Sequence, residues 1–322
     1  MKIVSAQEVD SLLDFPALIE ALRDAFTGGV HAPVRHHHTI ERRQGSDSTM
    51  LLMPAWSDFA SGHIEGNGYT GVKIVSVSPD NNAVGLPAVM GVYLLSDGTT
   101  CEPLALIDGQ KLTLWRTAAA SALAAGYLAP EKAEKLVMIG AGKLAPYLIR
   151  AHASVRPIGT VVLWNRNRDN AERLAQELSG EAFDVSVTDD RAAAIADADI
   201  VSAATITAEP LIEGAWLSPG THVDLVGAYT PALRESDDEA VRRATLFADT
   251  FGGALKEGGD LVQPLESGLI TRDDVVAELA SLCRDEHPGR TAADEITLFK
   301  STGASLEDFA AGCLVWQRCQ SG

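Results

Sequence analysis

A strand, a glycine-rich turn and a helix follow one another without interruption near the middle of the chain. The apolar residues 135–140 end in Gly140-Ala-Gly142-Lys-Leu-Ala145, and a helical pattern runs from 144 to 155. In such a turn the first glycine permits the tight bend, the second lets a pyrophosphate approach the backbone, and the small third residue lets helix and strand pack closely. Because G-x-G-x-x-A alone is a weak signal, it is the strand–turn–helix order that predicts a dinucleotide site. The residues expected to form it are Gly140, Ala141, Gly142, Lys143 and Leu144.

The size and charge of the chain narrow the class of protein. Its 322 residues leave room for two domains, and 46% hydrophobic and 22% charged residues are typical of a globular protein in water. A formal net charge of −18 argues against nucleic acid or an anionic membrane as a partner.

The N-terminus and the cysteines bear on the compartment. The chain starts Met-Lys-Ile-Val and passes directly into a helix signal, so we expect no secretory signal. Its apolar runs are far shorter than a membrane span. The cysteines have no metal-binding or C-x-x-C spacing and are expected to be reduced thiols in a cytoplasmic protein. They are Cys101, Cys283, Cys313 and Cys319.

The first third of the chain predicts two short helices and then a run of strands. A capping box at Ser5 and Glu8 opens the first helix, and Pro16 suits the first turn of a second helix that ends near Phe26. No long helical pattern separates the strands, so an antiparallel or mixed sheet is expected. The predicted strands are 49–56, 69–78, 88–96 and 102–107. An Ala- and Leu-rich helix, 110–129, then leads into a second domain.

From residue 135 strands and helices alternate, which predicts an α/β fold with a doubly wound parallel sheet. The predicted strands are 135–140, 160–165, 184–188, 199–205, 222–228, 246–250 and 296–301. Ser305 and Asp308 have capping-box spacing and are expected to open a last helix that ends near Cys319 and returns to the first domain.

The end of the second strand of this sheet discriminates between the two nicotinamide cofactors. An acid there binds the free ribose hydroxyl of NADH, whereas an arginine accommodates the 2′-phosphate of NADPH. The chain has Asn165, Arg166 and Arg168 at this point, and no acid until Asp169. This pattern predicts that NADPH binds more tightly than NADH. Two solvated loop arginines remain the alternative.

Three cationic residues lie in apolar or structured surroundings. Arg35 follows Ala-Pro-Val, Lys73 lies inside the strand pattern 69–78, and Arg116 lies in the Ala-rich helix. A buried cation without a partner is costly. An anionic ligand would satisfy these residues, and so would an internal Asp or Glu. If a ligand is the partner, removing a cation should leave folding intact.

Six stretches of the chain resemble the ornithine cyclodeaminase/μ-crystallin family and occur in family order. They are Met53-Pro-Ala, Gly71-Val-Lys73, Arg116-Thr-Ala-Ala-Ala-Ser121-Ala, Gly140-Ala-Gly142, His222-Val-Asp-Leu-Val-Gly-Ala228 and Glu295-Ile-Thr-Leu-Phe-Lys-Ser301. The resemblance implies that Arg35, Lys73 and Arg116 bind the substrate's α-carboxylate. It implies a homodimer in which an α+β substrate and dimerisation domain, 1–115, is completed by the C-terminal helix, 303–322. A Rossmann domain, 116–302, would bind the cofactor.

The resemblance also assigns residues near the cofactor. Thr205, Val226, Gly227 and Ser301 match family positions there, although Thr205 and Ser301 are also ordinary polar residues for a strand end. The acidic run 235–239 is interpreted as a solvated helix start. No metal is expected at His36, His37 and His38, since adjacent strand residues alternate faces and lack an acidic or Cys partner.

The chain departs from true cyclodeaminases at the positions where they resemble one another in having acids. Leu51 and Tyr229 stand at those positions, and Leu233 replaces a lysine. Cyclodeamination needs a group that moves protons, which neither Leu51 nor Tyr229 supplies easily near neutral pH. The departure therefore argues against ornithine as the substrate.

The segment 223–238 instead resembles the bacterial Δ1-pyrroline-2-carboxylate reductases. This implies NADPH-dependent reduction of a cyclic ketimine carboxylate, with a five- or six-membered ring, to L-proline or L-pipecolate. A protonated imine is already electrophilic, so binding and orientation are the main demands on the protein. The alternatives are an ornithine cyclodeaminase, an open-chain L-amino-acid dehydrogenase acting on alanine, and a non-catalytic NADPH-binding protein.

Overall fold

The computed structural model describes residues 1–60 and 67–321, which form the following elements. The strands are β1 Lys2–Val4, β2 Val30–His31, β3 His36–Ile40, β4 Ser48–Ser57, β5 Tyr69–Val77, β6 Val89–Asp97, β7 Pro103–Asp108, β8 Lys135–Ile139, β9 Thr160–Trp164, β10 Asp184–Val187, β11 Ile200–Ala203, β12 His222–Leu225, β13 Thr245–Ala248, β14 Val275–Glu278 and β15 Thr297–Lys300. The helices are α1 Ala6–Leu12, α2 Phe15–Thr27, α3 Gly109–Leu128, α4 Ala145–Val155, α5 Arg168–Glu177, α6 Arg191–Ala196, α7 Asp238–Arg243, α8 Phe251–Glu257, α9 Gly259–Ser267, α10 Leu279–Cys283 and α11 Ser305–Ser321.

The chain divides into two compact units. The first unit comprises Met1–Thr117 together with Ala304–Gly322, and the second comprises Ala118–Gly303. The division falls within α3, which begins in the first unit and ends in the second. The roles assigned from sequence to domains 1–115 with 303–322 and 116–302 stay predictions.

The sheet of the first unit has the order β1-β7-β6-β5-β4-β2, with β3 also paired to β4. The strands β4 to β7 pair antiparallel, and β1 pairs parallel to β7, so the predicted mixed sheet is confirmed. Sequence patterns missed β1, β2 and β3. β1 spans three residues and pairs with a strand a hundred positions away, so it has too little periodicity of its own to be recognised.

Helix α11 packs against α2 and against the strands β4, β5 and β6 of this sheet. The predicted capping box at Ser5 and Glu8 is present at the start of α1. The box predicted at Ser305 and Asp308 is wrong, because α11 already begins at Ser305 and Glu307 accepts a hydrogen bond from the Ala304 amide at 3.1 Å. Asp308 is thereby available for a different partner.

The second unit contains a parallel sheet in the order β10-β9-β8-β11-β12-β15-β13-β14. The chain adds strands outward from β8 to β10 and then crosses to β11 on the other side, so the order reverses between β8 and β11. In sheets of this kind ligands bind beyond the carboxyl ends of the strands at such a reversal. The predicted doubly wound α/β fold is confirmed, and β14 is the strand that sequence patterns missed.

The parallel strands are apolar on both faces, as expected for a sheet covered by helices on both sides. Val137, Val201, Val223 and Leu298 are all fully buried in its core. Within the described residues, none of the helices has both the length and the apolar character needed to span a membrane.

Candidate functional site

The side chain of Lys73 lies inside the first unit and faces α11. Its Nζ atom lies 2.8 Å from Oδ1 and 2.7 Å from Oδ2 of Asp308, and 3.4 Å from the Thr113 hydroxyl. Two residues earlier, a Cβ atom on Gly71 would lie 2.1 Å from the Tyr93 hydroxyl oxygen. The motif Gly71-Val-Lys73 therefore combines a residue without a side chain, which admits Tyr93, with a buried cation.

Arg116 reaches the same carboxylate from α3. Its Nε lies 3.1 Å from Asp308 Oδ1, and its Nη1 lies 2.7 Å from Glu307 Oε2. The side chains of Asp308 and Glu307 are fully buried, and that of Arg116 is 6% exposed. Of the two alternatives left open by the sequence, internal carboxylates are present as partners of Lys73 and Arg116. We call Lys73, Arg116, Glu307 and Asp308 the clamp network.

Glu307 and Asp308 are residues of this candidate site that sequence reasoning missed. Their spacing from Ser305 was interpreted as a helix cap, which explains two acids at a helix start without further partners. The overlooked signal was the composition of the rest of the helix, since an acidic pair opens an otherwise largely apolar stretch, 309–316.

Arg35 lies close enough to Lys73 to influence its ionisation. Burial, Arg116 and Arg35 together lower the pKa of Lys73 to about 8, against the opposing charge and hydrogen bond of Asp308. Arg35 itself is half-buried in the segment before β3. The structure thus brings all three predicted cations into one region of the first unit, where their N–H groups could bind a carboxylate.

The positions that distinguish cyclodeaminases are not acidic. Leu51 lies in β4, paired with His37 of β3 on one side and Val75 of β5 on the other. Tyr229 follows β12 and is 39% exposed. In the described part of the chain no group of three or more His, Cys, Asp or Glu side chains is placed to bind a metal ion.

The glycine-rich turn of the second unit has the geometry that a pyrophosphate requires. Gly140 has φ 107°, a conformation that favours glycine, and its amide donates to the Trp164 carbonyl at 2.9 Å. A Cβ atom on Gly142 would meet nothing within 4 Å, so this backbone faces open space. Among the residues that the structure describes, no side chain caps the start of α4. Bare backbone and an uncapped helix start fit an anionic ligand.

Asn165 takes part in this turn rather than pointing away from it. Its Oδ1 accepts a hydrogen bond from the Ala141 amide at 3.1 Å, and its Nδ2 donates to the Asn167 carbonyl at 2.8 Å. Arg166 is exposed. Arg168 is paired with Glu172 at 2.8 Å and with Asp189 at 2.5 Å. Arg168 is therefore a paired residue at the start of α5 rather than a loop residue, and Arg166 is the exposed loop arginine, which leaves both the 2′-phosphate interpretation and the solvated interpretation open for Arg166.

Thr205 and Gly227 lie just beyond the carboxyl ends of β11 and β12, and both are bound by Glu235. The interpretation of the run 235–239 as solvated is wrong for Glu235, which is fully buried. Burial raises its pKa to about 7, against the opposing charge of Lys300. Val226 continues from β12, its amide donating to the Ala203 carbonyl at 2.9 Å, and the Ser301 hydroxyl donates to Asp249 at 3.3 Å.

Two further motif residues meet in the core of the second unit. Asp224 accepts hydrogen bonds from Ser202 at 2.7 Å and from Ser121 at 2.9 Å, and His152 Nε2 lies 3.1 Å from it. Burial acts to raise the pKa of Asp224, but hydrogen bonding to His152 and Ser202 gives a net lowering. These residues are fully buried, two on the sheet and two on the helices α3 and α4, so their hydrogen bonds explain on structural grounds why the motifs contain Ser121 and Asp224.

Comparison with known proteins identifies the family to which this chain belongs. Residues 2–322 match the ornithine cyclodeaminase/mu-crystallin family, and the chain belongs to that family. The Δ1-pyrroline-2-carboxylate reductase of Colwellia psychrerythraea is 36% identical over 317 residues, covering 97% of each protein.

Two solved structures show the same fold. Thermococcus litoralis Δ1-pyrroline-2-carboxylate reductase, in complex with NADH and L-proline, is 32% identical with a TM-score of 0.92, covering 100% of this chain and 98% of that one. An archaeal alanine dehydrogenase dimer with bound NAD is 28% identical with a TM-score of 0.89, covering 100% and 96%.

These relatives confirm the predicted family and the predicted class, an oxidoreductase acting on CH–NH groups. The neighbours hold NADH or NAD, which supports the prediction of a nicotinamide dinucleotide. The preference for NADPH stays a prediction.

Proposed function

We propose that this protein reduces a cyclic ketimine carboxylate, Δ1-pyrroline-2-carboxylate or its six-membered homologue, to the L-imino acid, and that it prefers NADPH. The observation that carries the proposal is the convergence of Lys73, Arg116 and Arg35 in the first unit. Such a group of cations suits a small anionic substrate, and the family relationship supplies the reaction class.

The clamp network would hold the substrate by its carboxylate. Asp308 and Glu307 fix the directions of the Lys73 and Arg116 side chains, which lowers the entropy lost when a ligand binds. A carboxylate bound by charged donors would leave the imine carbon in a defined orientation. A protonated imine needs no acid or base from Leu51 or Tyr229, so the absence of carboxylates there is compatible with reduction and unfavourable for ornithine lysis.

The second unit would hold the dinucleotide. Gly140, Ala141, Gly142, Lys143 and Leu144 would bind its pyrophosphate, and Thr205, Val226, Gly227 and Ser301 would face its nicotinamide half. The dinucleotide, when bound, supplies the hydride that adds to the imine carbon. Arg166 would bind the 2′-phosphate of NADPH, and Arg168 could assist only by exchanging Asp189 or Glu172 for the phosphate.

A homodimer is part of the proposal. On β6 the buried residues Tyr93 and Leu95 alternate with outward-facing Val92, and Val92 and Met90 are 37% and 41% exposed. An apolar, exposed sheet face of this kind suits a second copy of the chain. Light scattering should report a dimer for the unchanged protein and a monomer for Val92→Lys.

A substrate panel tests the function. Loss of reduced-nicotinamide absorbance is followed with each imine and with pyruvate plus ammonia, and release of ammonia and proline is measured with ornithine plus catalytic NAD. We expect turnover of a cyclic ketimine carboxylate and no ammonia or proline from ornithine. Sustained ornithine turnover would refute the proposal, and turnover of pyruvate with ammonia alone would favour an alanine dehydrogenase.

A further inference from the structure

A single buried carboxylate joins the ends of two neighbouring strands in the second unit. Glu235 Oε1 accepts hydrogen bonds from the Thr205 amide at 2.7 Å and from the Thr205 hydroxyl at 2.8 Å. Its Oε2 accepts from the Gly227 amide at 2.7 Å and from the Ala228 amide at 3.3 Å. Both oxygens are therefore occupied by donors, those of Oε1 beyond β11 and those of Oε2 beyond β12.

The backbone at this point is packed around the carboxylate. A Cβ atom on Gly227 would lie 2.0 Å from the Thr205 carbonyl oxygen and 2.7 Å from Glu235 Oε1. Glycine is therefore required at this position because Thr205 and the Glu235 side chain occupy the space where a side chain would begin. The two strand ends and Glu235 form one close-packed group.

Glu235 is itself held by a second carboxylate and a lysine. Asp260 Oδ1 accepts from the amides of Glu235 and Ser236 at 2.8 and 2.9 Å. Lys300 Nζ lies 3.0 Å from Asp260 Oδ2 and 3.9 Å from Glu235 Oε2, and all three charged side chains are fully buried. We call Glu235, Asp260 and Lys300 the anchor network.

We propose that Glu235 is a positioning residue for the dinucleotide, holding the segments that follow β11 and β12 in the arrangement that binds the cofactor. This inference rests on the proposed function, since it assumes that Thr205 and Gly227 face the nicotinamide half of a dinucleotide. The Glu235 carboxyl group accepts from three backbone N–H groups and one hydroxyl, and hydrogen bonds to an ionised carboxylate are among the stronger polar contacts in proteins. A residue placed in this way acts through the backbone it holds and needs no contact with the cofactor.

The variant Glu235→Gln removes the ability of this side chain to hold both backbone segments at once, with little change in side-chain volume. The amide has one acceptor oxygen, so it can serve either Thr205 or Gly227, and its NH₂ group would face a backbone N–H. Lys300 and Asp260 remain as a pair of opposite charges, so the variant is expected to fold. We expect the dissociation constant for NADPH or NADH to rise about tenfold or more.

The matched control is Glu239→Gln, a change of the same chemistry four residues further along. Glu239 is 43% exposed and pairs with Arg242 on its own helix, so nucleotide binding should not change. Nucleotide affinity is measured directly by fluorescence titration. An unchanged dissociation constant in folded Glu235→Gln overturns the inference, whereas failure of the unchanged protein to bind either nucleotide overturns the proposed function instead.

Amide hydrogen exchange of the nucleotide-free protein gives a second readout. In Glu235→Gln the amides of Thr205, Gly227 and Ala228 should exchange faster than in the unchanged protein. If Glu235→Gln does not fold, Thr205→Val decides, because it removes a single hydroxyl donor to Glu235. Faster exchange at Gly227 and Ala228 in Thr205→Val supports coupling of the strand ends through Glu235, and unchanged exchange there overturns it.

Discussion

The clamp network of the first unit and the anchor network of the second both bury charge completely, but they balance it differently. In the clamp network Lys73 and Arg116 face Asp308 and Glu307, so cations and carboxylates pair side chain to side chain. In the anchor network Lys300 is shared by Glu235 and Asp260, and backbone amides supply much of the remaining stabilisation.

The difference indicates what each network is suited to do. Cationic side chains that are oriented by carboxylates carry N–H groups of the kind that bind an anionic ligand, which is what a substrate site needs. A carboxylate whose oxygens are filled by backbone amides has no capacity left for a ligand, but it fixes the backbone that it binds. The first arrangement is suited to recognising a ligand and the second to positioning a loop.

The largest effect is expected on the free energy of unfolding when a cation of the clamp network is removed. Lys73→Met or Arg116→Met leaves a buried carboxylate without one of its partners, which should lower the free energy of unfolding by about 3 kcal/mol. Folding unaffected by removal of a cation was expected for cations without internal partners, and a loss of stability is expected instead because Asp308 pairs with both. For the imine, kcat/KM should fall about tenfold to a hundredfold. Denaturant unfolding and steady-state kinetics measure the two quantities.

The double variant Lys73→Met/Asp308→Asn sharpens this test. It removes one charge of each sign, so it should recover part of the lost stability while kcat/KM stays low. A clamp variant that unfolds no more easily than Glu235→Gln would contradict the distinction between the networks. Near-normal imine reduction in both single variants would remove the carboxylate clamp from the mechanism.

A smaller effect is expected where the charges are exposed. Arg166→Ala should reduce the preference for NADPH over NADH by about tenfold, since a charge-assisted contact to the 2′-phosphate is lost. Arg168→Ala should change it less, because Arg168 is already paired with Glu172 and Asp189. Ratios of kcat/KM for the two nucleotides report both effects. Equal use of NADPH and NADH by the unchanged protein would contradict the assignment of Arg166.

The pH dependence provides a further test of the clamp network. Burial, with Arg116, holds the pKa of Lys73 at about 8, so kcat/KM for the imine should decline above that pH as Lys73 loses its charge. The folded pKa is below the ordinary value of 10.5, so the contribution of Lys73 to the free energy of unfolding should increase as pH rises from about 8 to 10.5. In Lys73→Arg, which stays charged, the component of the decline due to Lys73 should disappear. Identical pH profiles for the two proteins would exclude Lys73 as its source.

The smallest effect is expected from a partly exposed pair in the same unit as the clamp network. Lys111 Nζ lies 2.8 Å from Asp10, and the two side chains are 22% and 41% exposed. Lys111→Met should change the free energy of unfolding by no more than about 0.5 kcal/mol, because exposed ion pairs contribute little. A loss as large as that of Lys73→Met would mean that burial does not explain the stability difference.

Sequence patterns predicted the parallel sheet well, apart from β14, because its other strands each carry their own apolar signal. The strands β8 and β9, for example, match the predicted segments 135–140 and 160–165 closely. The glycine-rich turn was also recognisable from the sequence, because all of its residues are adjacent in the chain. Short elements such as β1 were missed because their pairing partners are distant.

The charge networks could not be predicted in the same way. Lys73 and Asp308 are separated by 235 positions, and no local pattern specifies that pair. Glu235 was misinterpreted for a different reason. A run of acids near a helix start usually lies in solvent, and the residues that donate hydrogen bonds to the buried Glu235, Thr205 and Gly227, belong to segments outside that run. The cations themselves were identified by their apolar or structured surroundings in the sequence. Their carboxylate partners could be identified only from the three-dimensional structure.

Recognition of the substrate carboxylate by the clamp network is tested most directly by removing that carboxylate from the ligand. Binding of L-proline and of L-prolinamide is measured by calorimetry on the protein loaded with oxidised nucleotide, for the unchanged chain and for Arg116→Met. We predict that L-proline binds at least about tenfold more tightly than L-prolinamide to the unchanged protein, and that this ratio falls towards one in the variant. Equal binding of the two ligands to the unchanged protein, or an undiminished ratio in Arg116→Met, would contradict the account.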